Sequence, residues 1–398
     1  MGAIDDYARL VVRVGVAVRP GQEVLVNAQI EHAPFVRALA EEAYRAGARH
    51  VDVEYGDPWV RRALVAEAPD DAFGFTPPGL LARMEHAKEI GAAVIAVSGG
   101  SNADVYEGLD PARLARARMP ALEESWLAAV NDRKVAWTIV AYPTERWARE
   151  TLGEPDVDRL WSAVAHAMRL DQPDPARAWS ERMDELEARA RSMTERGFDA
   201  IRYRGPGTDL EVGLIPGGRW LAARTETEDG HAHVPNMPTE EVFTSPHRMR
   251  ADGTVRSTFP LALRGGMVEG LELRLAGGEI VEARAARGED IIRAEIDIDD
   301  GARRLGEIAL VDSSSRVGET DLVFRNTLFD ENAASHIAFG AGLAWTTEGV
   351  PADERDGGLN VSQTHVDFMV GSVEVEVDGV EPGGTAVPLL RDGAWQLG

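Results

Sequence analysis

Cysteine is absent from the 398 residues. Its absence removes disulfides, thiolate metal ligands and a cysteine nucleophile together, and fits a reducing compartment, so a cytoplasmic setting is expected. Long apolar runs are missing as well. No stretch approaches the ~20 residues a membrane-spanning helix needs. The opening MGAIDDYARLVVRVGV has neither the basic start nor the long apolar segment of a secretory signal. Positive charge is scarce: 42 Lys and Arg face 67 Asp and Glu, for a net charge of −25. Such an acidic chain repels phosphate backbones and anionic lipid, so neither nucleic acid nor membrane is expected as a partner. Histidine is scarce too, at nine, which makes each setting worth inspecting.

What is present reads as two domains, 1–195 and 196–398, since the length exceeds one comfortable core. The first half alternates strand and helix. Glu23 to Asn27, His50 to Tyr55, Ala92 to Ser98 and Val135 to Tyr142 are strand-like, and Ala33 to Ala46 has helical spacing. The continuous apolar run Ala92 to Ser98 suits a parallel strand covered on both faces. The pattern predicts an α/β layer, doubly wound around a mostly parallel sheet. Gly99-Gly100 follows a strand but lacks the spacing of a phosphate loop or dinucleotide fingerprint. A charged helical stretch, Pro175 to Gly197, links the halves. Beyond it come short β-like segments (Ala200 to Tyr203, Asp209 to Leu214, Gly270 to Leu275, Val373 to Val377) and a helix expected over Glu289 to Arg304. The second half is therefore expected to be α+β.

Without cysteine, a transition-type metal site must be built from His, Asp and Glu. His32, His50, His86 and His166 have no carboxylate at useful spacing and read as structural or surface residues. His365 and Asp367 lie two apart in the alternating run Thr364 to Val370, so a strand projects both from one face. In Asp330 to Ala338, Asp330 or Asn332 is placed to cap a helix, with Glu331 in its first turn and His336 about one turn on. The same two residues also read as a favourable N-terminal charge and a partly buried helix position. Glu240 and Glu241, in Asn236 to Thr244, point to opposite faces of an extended chain, so one can enter a site while the other stays solvated. Glu307 interrupts the apolar segment Leu305 to Leu310, where a charge is costly unless paired or metal-bound. Four carboxylates and two imidazoles exceed the four ligands one zinc ion takes, and suit two divalent cations with shared carboxylates. His231-Ala232-His233 would share a strand face, either close to such a site or as a solvated pair.

Four stretches in order, NMPTEEVFTSP, RRLGEIALVD, TLFDENAASHIAFG and LNVSQTHVDFMVGS, resemble the thermophilic aminopeptidase family of two-metal metallopeptidases (aminopeptidase T, AmpS and PepS type). The likeness runs over nearly the whole chain. It implies an N-terminal α/β domain, a catalytic C-terminal domain, a homodimer, and release of N-terminal residues from small peptides. Carried over residue by residue, the metal ligands would be Glu241, Glu307, Glu331, His336, His365 and Asp367, with Glu307 and Asp367 as bridges. The cofactors would be two divalent ions: zinc, cobalt or manganese. Glu307 and Glu240 would be the catalytic carboxylates that move the proton. One departure stands out. The family's H-I-A-x-G-x-G-Y ends in a tyrosine expected to steady the tetrahedral intermediate, and this chain has Leu343, with Trp345 two residues on. The departure leaves open a derived amidohydrolase, an iron-dependent ring-cleaving dioxygenase on the same scaffold, or a metal-binding dimer without activity.

Overall fold

The computed structural model describes residues 2–264 and 266–397, and the chain forms two compact units. One holds residues 1–181 and 223–238; the other holds 182–222 and 239–398. The sequence places one cut at 195/196. The chain leaves the first unit within the helix Pro175–Arg196 and returns for 223–238. Backbone pairing holds the returning segment: Ile139 N donates to Pro235 O at 2.7 Å and Val234 N to Gly15 O at 2.7 Å.

In the first unit, strands Glu23–Gln29, His50–Gly56, Ala93–Ser98 and Ala136–Ala141 form a parallel sheet. Their order is second, first, third, fourth in chain sequence, which is the α/β layer expected from the alternation of strands and helices. The apolar runs are what drive it. Leu25 and Val94 on the strands bury against Met84, Ala87 and Ala129 of two covering helices, and each fully buried aliphatic side chain contributes roughly 1.5–3 kcal/mol. The amides following Gly99-Gly100 have an internal acceptor: Ser101 N and Asn102 N donate to Glu150 at 2.7 and 3.1 Å.

The second unit contains three antiparallel sheets among its described residues, the smallest a two-stranded ribbon of Leu261–Leu263 and Gly266–Val268. In the eight-stranded one the order is Glu279–Arg284, Glu272–Ala276, Pro246–Arg256, Thr208–Leu214, Ala200–Gly205, Glu376–Val380, Ala386–Arg391, Ala394–Trp395. The four-stranded one runs His365–Met369, His336–Gly340, Leu305–Val311, Glu241–Thr244. The helix expected over Glu289 to Arg304 stops at Ile296. Asp299 then caps a short 3-10 turn, accepting from Ala302 N at 2.8 Å. Among the described residues, no helix is long and apolar enough to cross a membrane.

Candidate metal centre

Every strand of the four-stranded sheet contributes to one face. Glu241 pairs with Val311 and Phe243 with Ala309. Ala309 pairs with His336 and Glu307 with Ala338, and Ala338 and Gly340 pair with Asp367 and His365. Paired residues share a face and alternate residues return to it. Glu241, Glu307, His336, His365 and Asp367 therefore project together from four adjacent strands. Glu331 joins them from the turn before His336, whose Nδ1 lies 3.0 Å from Glu331 O. Two glycines permit the geometry. A Cβ on Gly306 would collide with the carbonyls of Gly340 and Ala341, beside the register shift that precedes Glu307. Gly340 has φ +103°, a region side-chain-bearing residues avoid.

All six ligand candidates come together, in overlapping triads: Glu241–Glu307–His336, Glu307–His365–Asp367 and Glu331–His336–Asp367, with ligand atoms in each triad within 4.8 Å of one another. His336 Nε2 lies 3.1 Å from Glu241 Oε2; His365 Nε2 lies 3.1 Å from Glu307 and 3.4 Å from Asp367. Each imidazole turns its other nitrogen to a main-chain carbonyl, His365 Nδ1 to Ala341 O at 2.7 Å and His336 Nδ1 to Glu331 O. A ring so held keeps Nε2 free to face a cation, the arrangement typical of metal-ligating histidine.

His336 lies on a strand, not on the helix its neighbours suggest. The helix there is only Thr327–Asp330. Asn332 donates to Leu328 O, while Ser335 Oγ takes Val311 N and donates to Val311 O. These bonds end the helix and seat His336–Gly340 between two strands, where sheet pairing overrides local capping signals. Asp330 accepts from Phe324 N and Asn326 N instead, and burial lifts its carboxyl to about 7.

Glu240 takes a different course. It is wholly buried, belongs to none of the triads, and receives Arg182 Nε at 2.7 Å. Arg182 lies 3.9 Å from Asp312, which also binds Arg189 at 2.7 Å. The Glu240 amide donates to Asn332 Oδ1 at 2.6 Å, tying the lead-in of Glu241 to the turn that carries Glu331. A carboxylate already engaged by a buried arginine is a poor proton carrier. Sequence reasoning offered Asn332 only as a helix cap and did not find Arg182. Asn332 stands beside Glu331, which is a weak local signal; Arg182 lies 58 residues from Glu240 and gives none. The His231 and His233 pair packs in the first unit, His231 Nε2 at 2.9 Å from Ala17 O and His233 Nδ1 at 3.2 Å from His231 O, and enters no triad.

The electrostatics reflect negative charge out of water. Burial, then Asp367 and Glu241, raise the Glu331 carboxyl well above the carboxylate range. Burial also raises Glu307, more than His365 offsets. For Asp367 burial works the other way from His365, and the imidazole prevails, holding the carboxyl low. Burial alone would depress His336, but the Glu241, Asp367 and Glu331 carboxylates lift it to about 10. In the absence of a cation, protonated imidazoles are the counter-charge. Glu241 Oε2 is buried, and its near neighbour is His336 Nε2 at 3.1 Å in poor hydrogen-bond alignment. A divalent cation would satisfy that oxygen and relieve the crowding, so the residues present fit a metal.

Oxygen and imidazole donors in overlapping triads on one sheet face define a metal-dependent hydrolytic type of site. The chain belongs to the thermophilic metalloprotease family (M29), whose pattern it matches over residues 2–395. It is similar to aminopeptidase T of Thermus aquaticus, 45% identical over 99% of this chain and 98% of that one. Aminopeptidase PepS of Streptococcus thermophilus is 38% identical, with 99% and 98% covered. Among solved structures, wild-type AmpT from Thermus thermophilus superposes with a TM-score of 0.90 at 42% identity, covering 99% of both chains.

Proposed function

We propose that this chain is a metal-dependent aminopeptidase that removes N-terminal residues from small peptides, with two divalent cations held by Glu241, Glu307, Glu331, His336, His365 and Asp367. The observation that carries the proposal is the overlap of the triads: Glu307, His336 and Asp367 each belong to two, and of these the two carboxylates have the second oxygen that sharing between two ions requires. Zinc, cobalt and manganese all suit such a donor set. A cytoplasmic homodimer is the setting we favour.

Cations bound there would polarise a scissile carbonyl and acidify a water molecule. The chain's own residues supply the rest. Glu307 shares one triad with His336 and another with His365, and is the carboxylate we assign to accept a proton and pass it to the leaving amine. Ala341 O and Glu331 O fix the imidazoles, so neither ring needs to reorganise during turnover. Glu240, nominated by sequence for proton transfer, becomes a support for Glu241 because Arg182 holds its carboxylate. Leu343 brings no donor at its side chain; its amide donates to Ser245 Oγ at 2.9 Å.

The test is to strip the protein of metal, restore zinc, manganese or cobalt singly, and follow a defined peptide mixture by mass spectrometry. Stepwise loss of single N-terminal residues, only with metal, is expected. Intact peptides in the presence of two bound ions per chain would overturn the peptidase assignment.

A further inference from the structure

Within the four-stranded sheet nearly every residue is buried, and the exceptions fall on one face: Phe243, His365 and Asp367 are partly exposed. The candidate centre therefore opens to solvent along a line from the His365–Met369 strand to the Glu241–Thr244 strand, with Phe243 at one end. Phe243 pairs with Ala309, and Ala309 with His336, so a single alanine methyl lies between the phenyl ring and an imidazole of the centre.

Trp345 extends this apolar edge. Its ring lies 6.2 Å from that of Phe243 at 51°, and it too is partly exposed. The backbones beneath both rings are fixed. Phe243 exchanges two hydrogen bonds with Leu221, each 2.9 Å, and Thr346 Oγ1 donates to Leu343 O at 2.7 Å. The indole N–H is buried, yet no acceptor meets it among the described residues. Trp179 shows the alternative: it is fully buried and donates from Nε1 to Met168 O at 2.9 Å. Buried tryptophans ordinarily find such a partner. Trp345 thus combines a half-open ring with a donor that nothing in the fold uses.

We infer that Phe243 and Trp345 form an apolar wall that reads the side chain of the substrate's N-terminal residue and favours large apolar and aromatic ones. The inference rests on the aminopeptidase reading. An exopeptidase acts at the first peptide bond, so that side chain lies within about one residue, ~3.8 Å along the chain, of the reacting carbonyl. A preformed aromatic wall two strand spacings, about 9–10 Å, from His336 on the same face lies within reach of that side chain.

The test compares kcat/KM for Phe, Leu and Ala p-nitroanilides on the metal-loaded enzyme and on Phe243→Ala, Trp345→Ala and Trp345→Phe. Loss of apolar contact with a side chain changes discrimination by about 10-fold or more. The wild type is expected to prefer Phe and Leu over Ala, and the two alanine variants to lose about 10-fold of that ratio with metal content unchanged. Trp345→Phe is expected to keep most of it. A wild type that cleaves all three equally, or alanine variants with the ratio intact, would overturn the wall; the wild-type profile alone decides if a variant does not fold. A wild type that cleaves none, with both ions bound, would count against the aminopeptidase reading. The wall is then read by calorimetry of L-phenylalanine and L-alanine binding to the loaded protein. Tighter binding of phenylalanine, lost in Trp345→Ala, supports it, and equal affinities contradict it.

Discussion

Glu240 and Glu241 are consecutive, equally acidic and both buried, yet the fold treats them in opposite ways. Glu240 meets Arg182, which with Asp312 and Arg189 makes a network in which each charge has an opposite partner. Glu241 meets one imidazole and shares its triad with a second carboxylate. Strand alternation separates them by pointing one side chain to each face of the sheet. The difference shows how a buried carboxylate can be read. A glutamate paired with arginine is complete as folded, and its contribution is structural. A glutamate crowded by other carboxylates, its oxygen met by a poorly aligned imidazole, is complete only when a cation arrives.

The sharpest way to break this comparison is to neutralise each in turn. Glu241→Gln is expected to lower kcat/KM on the order of 10³-fold or more, because a ligand is lost, with little change in the melting temperature of the metal-free protein. Glu240→Gln should do the reverse, weakening the buried Arg182 network, which keeps Glu185 and Asp312, at a cost of about 1–3 kcal/mol, with or without metal. Thermal melts of both variants, apo and loaded, check the pair. Loss of activity at unchanged stability in Glu240→Gln would assign Glu240 to the chemistry after all.

A smaller effect extends the comparison to histidine. His336 is buried among carboxylates and lifted to about 10. His32 and His233 are also buried, and burial, only partly offset by backbone hydrogen bonds, pushes each down to about 4. A folded pKa below the unfolded ~6.5 means the unfolded chain takes up the proton first. Their stability contribution is therefore present above about pH 6.5 and is lost as the pH falls towards 4, by up to roughly 3 kcal/mol each. Denaturant midpoints of wild type and His32→Gln across that range should show a shallower acid loss in the variant. Identical slopes would mean that His32 does not titrate as its burial implies.

Much of the site could be read from the sequence because its determinants are local. Alternation in Thr364 to Val370 places His365 and Asp367 on one face. The apolar setting of Glu307 marks a charge that needs a partner, and alternation separates Glu240 from Glu241, although Glu240, expected to be solvated, is buried because Arg182 pairs with it. The N-terminal strands were legible for the same reason, as runs of apolar residues bounded by turns. What the sequence hid depends on long-range pairing. His336 looks helical beside Asp330 and Asn332, but sheet bonds to strands on both sides outweigh four residues of helix. Arg182 reaches Glu240 from a distant helix. Phe243 and Trp345 meet only through folding. Nor does composition mark 223–238 as a return to the first unit; its backbone bonds to Gly15 and Ile139 do.

The most direct test of the central claim is the metal content of the purified chain after equilibrium dialysis against zinc, measured beside its melting temperature. Two ions per chain with a raised melting temperature, and fewer ions in Glu241→Gln but not in Glu240→Gln, is the result expected. No bound ion, or an occupancy that Glu241→Gln leaves unchanged, would contradict the account.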